Sequence, residues 1–194
     1  MKTVFFDIDS QLDFLYPAGA LYAPGAEKIV PAIARLNHFA AASGVPVVST
    51  TDAHTEDDPE FRLYPPHCVA GTWGQHKPES TLLHRRVTVP NRECPLAIEG
   101  AAQIILEKQT VDAFETRNLP RLLDLLGAER CVVYGVVTEI CVFHAARGLL
   151  RAGRSVALVT DAIAELDAAN ARKAIDEVLA AGATPTTVSE VCGQ

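Results

Sequence analysis

The sequence predicts an α/β fold, a three-layer αβα sandwich around a mostly parallel central sheet of the Rossmann-like kind. Short, nearly continuous apolar runs recur along the chain, as expected of strands buried on both faces. Between them lie stretches with apolar residues at helical spacing. Each of the four main helical stretches ends at a glycine and gives way to the next segment, and this repeated unit argues for crossover helices packed on both faces of a parallel sheet.

The elements follow in order. Val4-Phe5-Phe6 is the first strand. Glu27 to Ala41 carries Ile29, Val30, Ile33, Leu36 and Phe39 on one face and stops at Gly44. Val47-Val48-Ser49 is the second strand, opened by Pro46, a residue tolerated at a strand start but not in mid-sheet. Ile104-Ile105-Leu106 is the third. Thr116 to Leu126 is a helix with Leu119, Leu122, Leu123 and Leu126, ended by Gly127. Cys131 to Tyr134 is the fourth strand, and Thr138 to Ala152 a helix ended by Gly153. Val156 to Val159 is the fifth strand, and Asp167 to Ala181 a helix ended by Gly182. Thr186-Thr187-Val188 is a weaker sixth strand.

Thr51 to about Gly100 breaks this rhythm. Pro59, Pro65, Pro66, Pro78, Pro90 and Pro95 exclude a long helix or a central strand there. Long loops in a compact domain are usually functional. No linker or fixed-period repeat divides the chain, so a single domain over 1–194 is expected.

The composition narrows the class. Hydrophobic residues make up 48% and charged residues 21%, which excludes disorder, collagen and coiled coil. A net charge of −7 lacks the basic footprint of a nucleic-acid binder. No apolar run reaches the ~20 residues of a membrane span. The start, MKTVFFDID, turns acidic too early for a secretory signal. The five cysteines, 68, 94, 131, 141 and 192, form no CxxC pair, which suits free thiols in a reducing, cytoplasmic compartment.

In such sheets ligands gather beyond the carboxyl ends of the strands. Asp9 follows the first strand, with Asp7 and Asp13 competing for its role and a turn cap as the plainer reading. Lys108 follows the third strand; the alternative is a surface lysine pairing Glu107 or Asp112. Cys141 falls in the first turn of the helix after the fourth strand, where backbone N–H groups favour a thiolate; the alternative is an inert buried cysteine, which Cys131 is expected to be. A cysteine nucleophile needs a proton acceptor and oxyanion donors. Asp9 can take the proton, Lys108 can hold both anions, and the backbone N–H groups of Val137 and Cys141 can receive the oxyanion.

A second cluster follows the second strand. Asp52 and His54, two apart on an extended segment, share a side. With His67 they suit zinc, manganese or iron, Glu60 being the best fourth ligand and Asp57 and Asp58 its rivals. His38, His76 and His84 are expected on the surface.

These motifs together, DSQLDF, TDAH, PPHCVAGTWG, EKQTVDAF and GVVTEICV, resemble the isochorismatase-like cysteine hydrolases, and among them the nicotinamidase-type amidohydrolases, over about Val4 to Val188. The resemblance implies a parallel sheet sandwiched by helices and a catalytic triad of Asp9, Lys108 and Cys141. It implies a cis peptide at Val136–Val137 that aims the Val137 N–H at the oxyanion. It also implies a divalent metal, zinc first with manganese or iron as alternatives, on Asp52, His54, Glu60 and His67. Phe14 and Tyr64 would wall the substrate pocket. The family commonly has Trp in place of Tyr64, Asp in place of Glu139 and Thr in place of Ala145, and these departures bear on the substrate. The implied reaction is hydrolysis of a small carboxamide, nicotinamide to nicotinate, by a homo-oligomer. A ureido, N-carbamoyl or maleamate substrate is the alternative within the family, and a thiol redox or metal-binding protein the alternative outside it. Isochorismatases proper commonly lack the cysteine, so Cys141 argues against that reaction.

Overall fold

A computed structural model describes residues 1–193. Seven strands form one sheet: β1 (Thr3–Ile8), β2 (Val47–Asp52), β3 (Arg86–Val89), β4 (Gln103–Lys108), β5 (Arg130–Val136), β6 (Ser155–Ala164) and β7 (Thr184–Thr186). Their order is β3-β4-β2-β1-β5-β6-β7, and every neighbouring pair runs parallel. The sequence predicted a mostly parallel sheet between two helical layers.

Six α-helices accompany it among the described residues: α1 (Leu12–Leu15), α2 (Val30–Ala42), α3 (Leu119–Leu126), α4 (Phe143–Arg151), α5 (Ala168–Ala180) and α6 (Val188–Cys192). Alternate residues of the central strands feed two cores. Val4, Phe6 and Ile8 of β1 pack with Leu122, Leu149 and Val178 of α3, α4 and α5. Phe5 packs on the opposite face with Ile33 and Leu36 of α2 and Val188 of α6. The β2 strand is buried along its whole length, which explains its unbroken apolar and small-polar run. Gly127 ends α3 in the left-handed conformation with φ 60°, as its position in the sequence suggests.

Several elements differ from expectation: the helices expected from Glu27 and Thr116 begin at Val30 and Leu119, and the strand expected over Val156–Val159 runs on to Ala164. Arg86–Val89 is a strand within the proline-rich stretch. It lies at the sheet edge, where an alternating, half-exposed RVTV sequence followed by Pro90 is tolerated. The weak sixth strand lies at Thr184–Thr186, and Val188 instead opens α6, because Thr187 and Glu190 form a reciprocal capping box. The helix predicted from Thr138 begins as a π-helical turn, Thr138–Val142, before α4.

The order in which strands are added reverses between β1 and β5: β2, β4 and β3 lie on one side of β1, while β5, β6 and β7 continue on the other. Such a reversal leaves a crevice at the carboxyl ends of the strands.

Candidate active site

The crevice gathers the three predicted strand-end groups. Asp52 ends β2 and Lys108 ends β4, and the two are paired in the parallel register. Lys108 Nζ lies 2.6 Å from Asp52 Oδ1, 2.9 Å from Asp9 Oδ2 and 3.6 Å from Cys141 Sγ, and donates to Thr110 O at 3.0 Å. It is 1% exposed, so the surface-lysine alternative is excluded. Asp9 has φ 43°, in the left-handed region an aspartate tolerates better than most residues. Its Oδ1 accepts from Thr50 Oγ1 at 2.7 Å, and its backbone N–H donates to the same hydroxyl.

The two rival aspartates serve other partners. Asp7 is buried beside Ser10, Ser49 and Lys77, whose Nζ lies 3.4 Å away. Asp13 accepts from the Ala20 and Cys68 backbone N–H groups at 2.9 and 2.7 Å, tying together the loops under the site.

Protonation follows from this packing. Burial would raise the Asp9 carboxyl, but the Lys108 ammonium and hydrogen bonds from Lys108, Thr50 and Cys141 outweigh it and hold it below the usual range. Burial would lower Lys108, yet Asp52 and Asp9 keep it well above the ordinary amine value. Burial pushes the Cys141 thiol well up against the pull of Lys108. Burial also pushes Asp52 up to about 7. The resting arrangement is a carboxylate, an ammonium and a thiol, which gives the thiol proton an acceptor within the cluster.

Asp52, His54 and His67 offer ligand atoms that all lie within 4.8 Å of one another. Glu60 Oε1 lies 4.0 Å from His54 Nε2 and 3.9 Å from His67 Nε2. Ligands each about 2.0–2.2 Å from one ion stand at most about 4.4 Å apart, a limit met by the 4.0 Å from His54 Nε2 to Asp52 Oδ1 and by the Glu60 spacings. Neither ring nitrogen of the fully buried His54 makes an aligned hydrogen bond; for Nε2, which faces Asp52 and Glu60, coordination relieves that costly condition. His67 Nδ1 lies 2.8 Å from Pro65 O; donation there leaves Nε2 free as a ligand. The residues therefore suit a divalent metal. Of the rival acids, Asp57 is exposed, and Asp58 Oδ2 lies 3.0 Å from His54 Nδ1, on the side of the ring away from Glu60.

A cavity of about 290 Å³ opens onto both groups. Cys141, Val137, Asp52, Glu60 and His67 line it, with Phe14 and Tyr64 among its walls. The Val136–Val137 peptide is cis. Leu21, Val111, Ile140 and Leu166 complete the lining and carried no sequence signal, being ordinary apolar residues on separate segments. Gln11 also escaped notice. Its Oε1 accepts from Asp52 N at 2.7 Å and its Nε2 donates to Asp52 O at 2.9 Å, so it clamps the end of β2. Its place in DSQLDF was the available signal. Cys131 is buried in the core as expected, and His38, His76 and His84 are exposed.

The Isochorismatase domain family matches residues 3–190. The chain belongs to the isochorismatase family. This isochorismatase-family chain is 26% identical over 148 residues to an N-carbamoylsarcosine amidase of Arthrobacter, covering 75% of the chain and 53% of that relative, about half its length. Among solved structures, a nicotinamidase of Bacillus subtilis superposes with TM-score 0.83 at 26% identity, covering 96% of this chain and 99% of the other. A pyrazinamidase of Pyrococcus horikoshii in complex with zinc superposes with TM-score 0.80 at 27% identity, covering 96% and 99%. The structural neighbours of this isochorismatase-family chain thus include a nicotinamidase and a pyrazinamidase.

Proposed function

We propose that this chain is a cysteine-dependent amidohydrolase that converts a small carboxamide, nicotinamide first, to the acid and ammonia through a thioester. One observation carries the reading: Cys141 and three of the four candidate metal ligands, Asp52, Glu60 and His67, line the same cavity as Phe14 and Tyr64. A planar heteroaromatic amide placed there can present its carbonyl to the thiol and its ring nitrogen to the ligand set.

Asp9 takes the proton of the Cys141 thiol while Lys108 keeps its charge, holding the Asp9 carboxylate before the transfer and the thiolate after it. The thiolate forms a bond to the amide carbon, and the carbonyl electron pair moves to oxygen. The N–H groups of Val137 and Cys141 receive that oxyanion. Asp9 returns its proton to the leaving nitrogen, the C–N bond breaks and ammonia departs. Water then attacks the thioester, with Asp9 again the base, and the acid leaves as the thiol reforms. Asp52, His54, Glu60 and His67 would hold a divalent ion, zinc with manganese or iron as alternatives, which when bound offers a Lewis-acid partner to the ring nitrogen directly or through water.

A second reading, an N-carbamoyl or ureido substrate, is favoured by the similarity to the Arthrobacter amidase. Ammonia release measured over nicotinamide, pyrazinamide, maleamate, ureidoacrylate and N-carbamoyl compounds, with and without chelator, separates the two. Nicotinamide is expected to lead, with turnover abolished in Cys141→Ala and chelation chiefly raising KM. Undiminished turnover in Cys141→Ala would remove the mechanism, and preference for an N-carbamoyl compound would select the second reading.

A further inference from the structure

The geometry points to Asp58 as a positioning residue that sets the tautomer of His54 and fastens Glu60 beside it. The inference rests on the metal reading of these residues and deepens it.

Asp58 is 9% exposed and its carboxylate divides its two oxygens between two candidate ligands. Oδ1 accepts from the Glu60 backbone N–H at 2.9 Å, fixing the short turn Pro59–Arg62 that carries Glu60. Oδ2 lies 3.0 Å from His54 Nδ1. Nε2 of the same ring lies 4.0 Å from both Asp52 Oδ1 and Glu60 Oε1. A neutral imidazole carries one N–H, so the nitrogen with a carboxylate within hydrogen-bond reach, Nδ1 at 3.0 Å rather than Nε2 at 4.0 Å, keeps the proton and the other is left with a lone pair. Asp58 therefore places the proton on Nδ1 and leaves Nε2 bare toward the other ligands. A carboxylate behind a histidine ligand commonly has this effect, and its loss typically costs 10–100-fold in metal affinity. The second histidine is set differently: a backbone carbonyl, Pro65 O, stands at His67 Nδ1. The Asp58 carboxylate also holds Glu60 by accepting the N–H at the start of its turn, while Phe61 of that turn packs on the His54 and His67 rings.

Asp58→Asn separates tautomer control from turn geometry. The Glu60 N–H still demands an acceptor, which keeps the Asn oxygen on that side and turns the NH₂ donor toward His54 Nδ1. A donor there draws the ring proton to Nε2, where it blocks ligation. Asp58→Ser keeps an acceptor for the Glu60 N–H but presents nothing to the ring. Two-bond ¹H–¹⁵N spectra of the metal-free protein read the His54 tautomer directly, and competition with a fluorescent chelator gives the zinc affinity.

The expected result is an Nδ1–H tautomer in the wild type and Nε2–H in Asp58→Asn. Zinc affinity should fall about 10–100-fold in Asp58→Asn, and more than in Asp58→Ser. A merely structural cap reverses that order, because asparagine is the closer isostere. An unchanged His54 tautomer and unchanged affinity in Asp58→Asn, or the reversed order, would overturn the inference and leave the metal reading standing. A wild-type protein that takes up no zinc would overturn the metal reading, while the metal-free spectra still decide whether Asp58 sets the tautomer.

Discussion

Lys108 Nζ sits 2.6 Å from Asp52 Oδ1 and 2.9 Å from Asp9 Oδ2, so one buried ammonium serves both the candidate triad and the candidate metal set. The contact follows from register: Asp52 and Lys108 end adjacent parallel strands as paired residues. Lys108→Met leaves two buried carboxylates without a counter-charge. Removing one partner of a buried ion pair costs about 3–5 kcal/mol. Urea unfolding is expected to show a loss of that size, together with loss of turnover. Wild-type stability in this variant would contradict a charged Lys108.

The pocket walls act on binding. Phe14 stands 5.3 Å from His67, ring centre to ring centre, and Tyr64 stands 6.3 Å from it. An aromatic pair is worth roughly 0.5–1.5 kcal/mol beyond its buried area. Phe14→Leu is therefore expected to raise KM for a heteroaromatic amide about 3–10-fold with little change in kcat. A fall in kcat at constant KM would place Phe14 elsewhere in the reaction.

Behind the site, the second buried pair, Lys77 and Asp7, is held by Ser10, Ser49 and Asn37. Ser10 directly follows Asp9, so this pair also supports the turn that aims the carboxylate. Lys77→Met should lower stability by about 3–5 kcal/mol. The Asp7→Leu/Lys77→Met double variant should lose less than the two single losses added, since neither charge is then stranded. Additive losses in unfolding experiments would show that the pair is not coupled.

Gly135 is a backbone requirement. Its φ is 119°, and a Cβ there would fall 2.1 Å from Ile8 O, the carbonyl just before Asp9. Gly135→Ala must push β1 and β5 apart where Asp9 and Cys141 emerge. A loss of about 2 kcal/mol or more is expected, with turnover falling further than stability alone explains. Normal thermal unfolding and normal turnover would refute the close approach.

Much of this was legible in the residues. The buried strands announced themselves because a strand covered on both faces is mostly apolar, so Val47-Val48 and Cys131 to Tyr134 read as apolar runs. The helix ends were legible because glycine relieves the left-handed turn after a helix, as at Gly127. Arg86–Val89 was not legible, because an edge strand with one wet face carries a weak alternation that six nearby prolines obscure. The π-helical turn holding Cys141 was not legible either, since its apolar spacing matches that of an α-helix.

The sequence by itself determined the α/β class, the strand-end residues Asp9, Lys108 and Cys141, and a histidine–carboxylate set after the second strand. Those are local facts, set by periodicity and by which side chains follow which strands. Position in the sequence left Asp7 and Asp13 as rivals of Asp9 and the family resemblance favoured Asp9; the strand order β4-β2-β1-β5 supplies the physical reason, because it puts Asp9 beside Lys108. Tertiary structure alone set Asp58 behind His54 with Glu60 in front of it, through the fold of the segment after β2 rather than by residue type. Charge pairing over distances of a few ångströms depends on which segments meet, and residues about 100 positions apart meet here only because parallel strands align their ends.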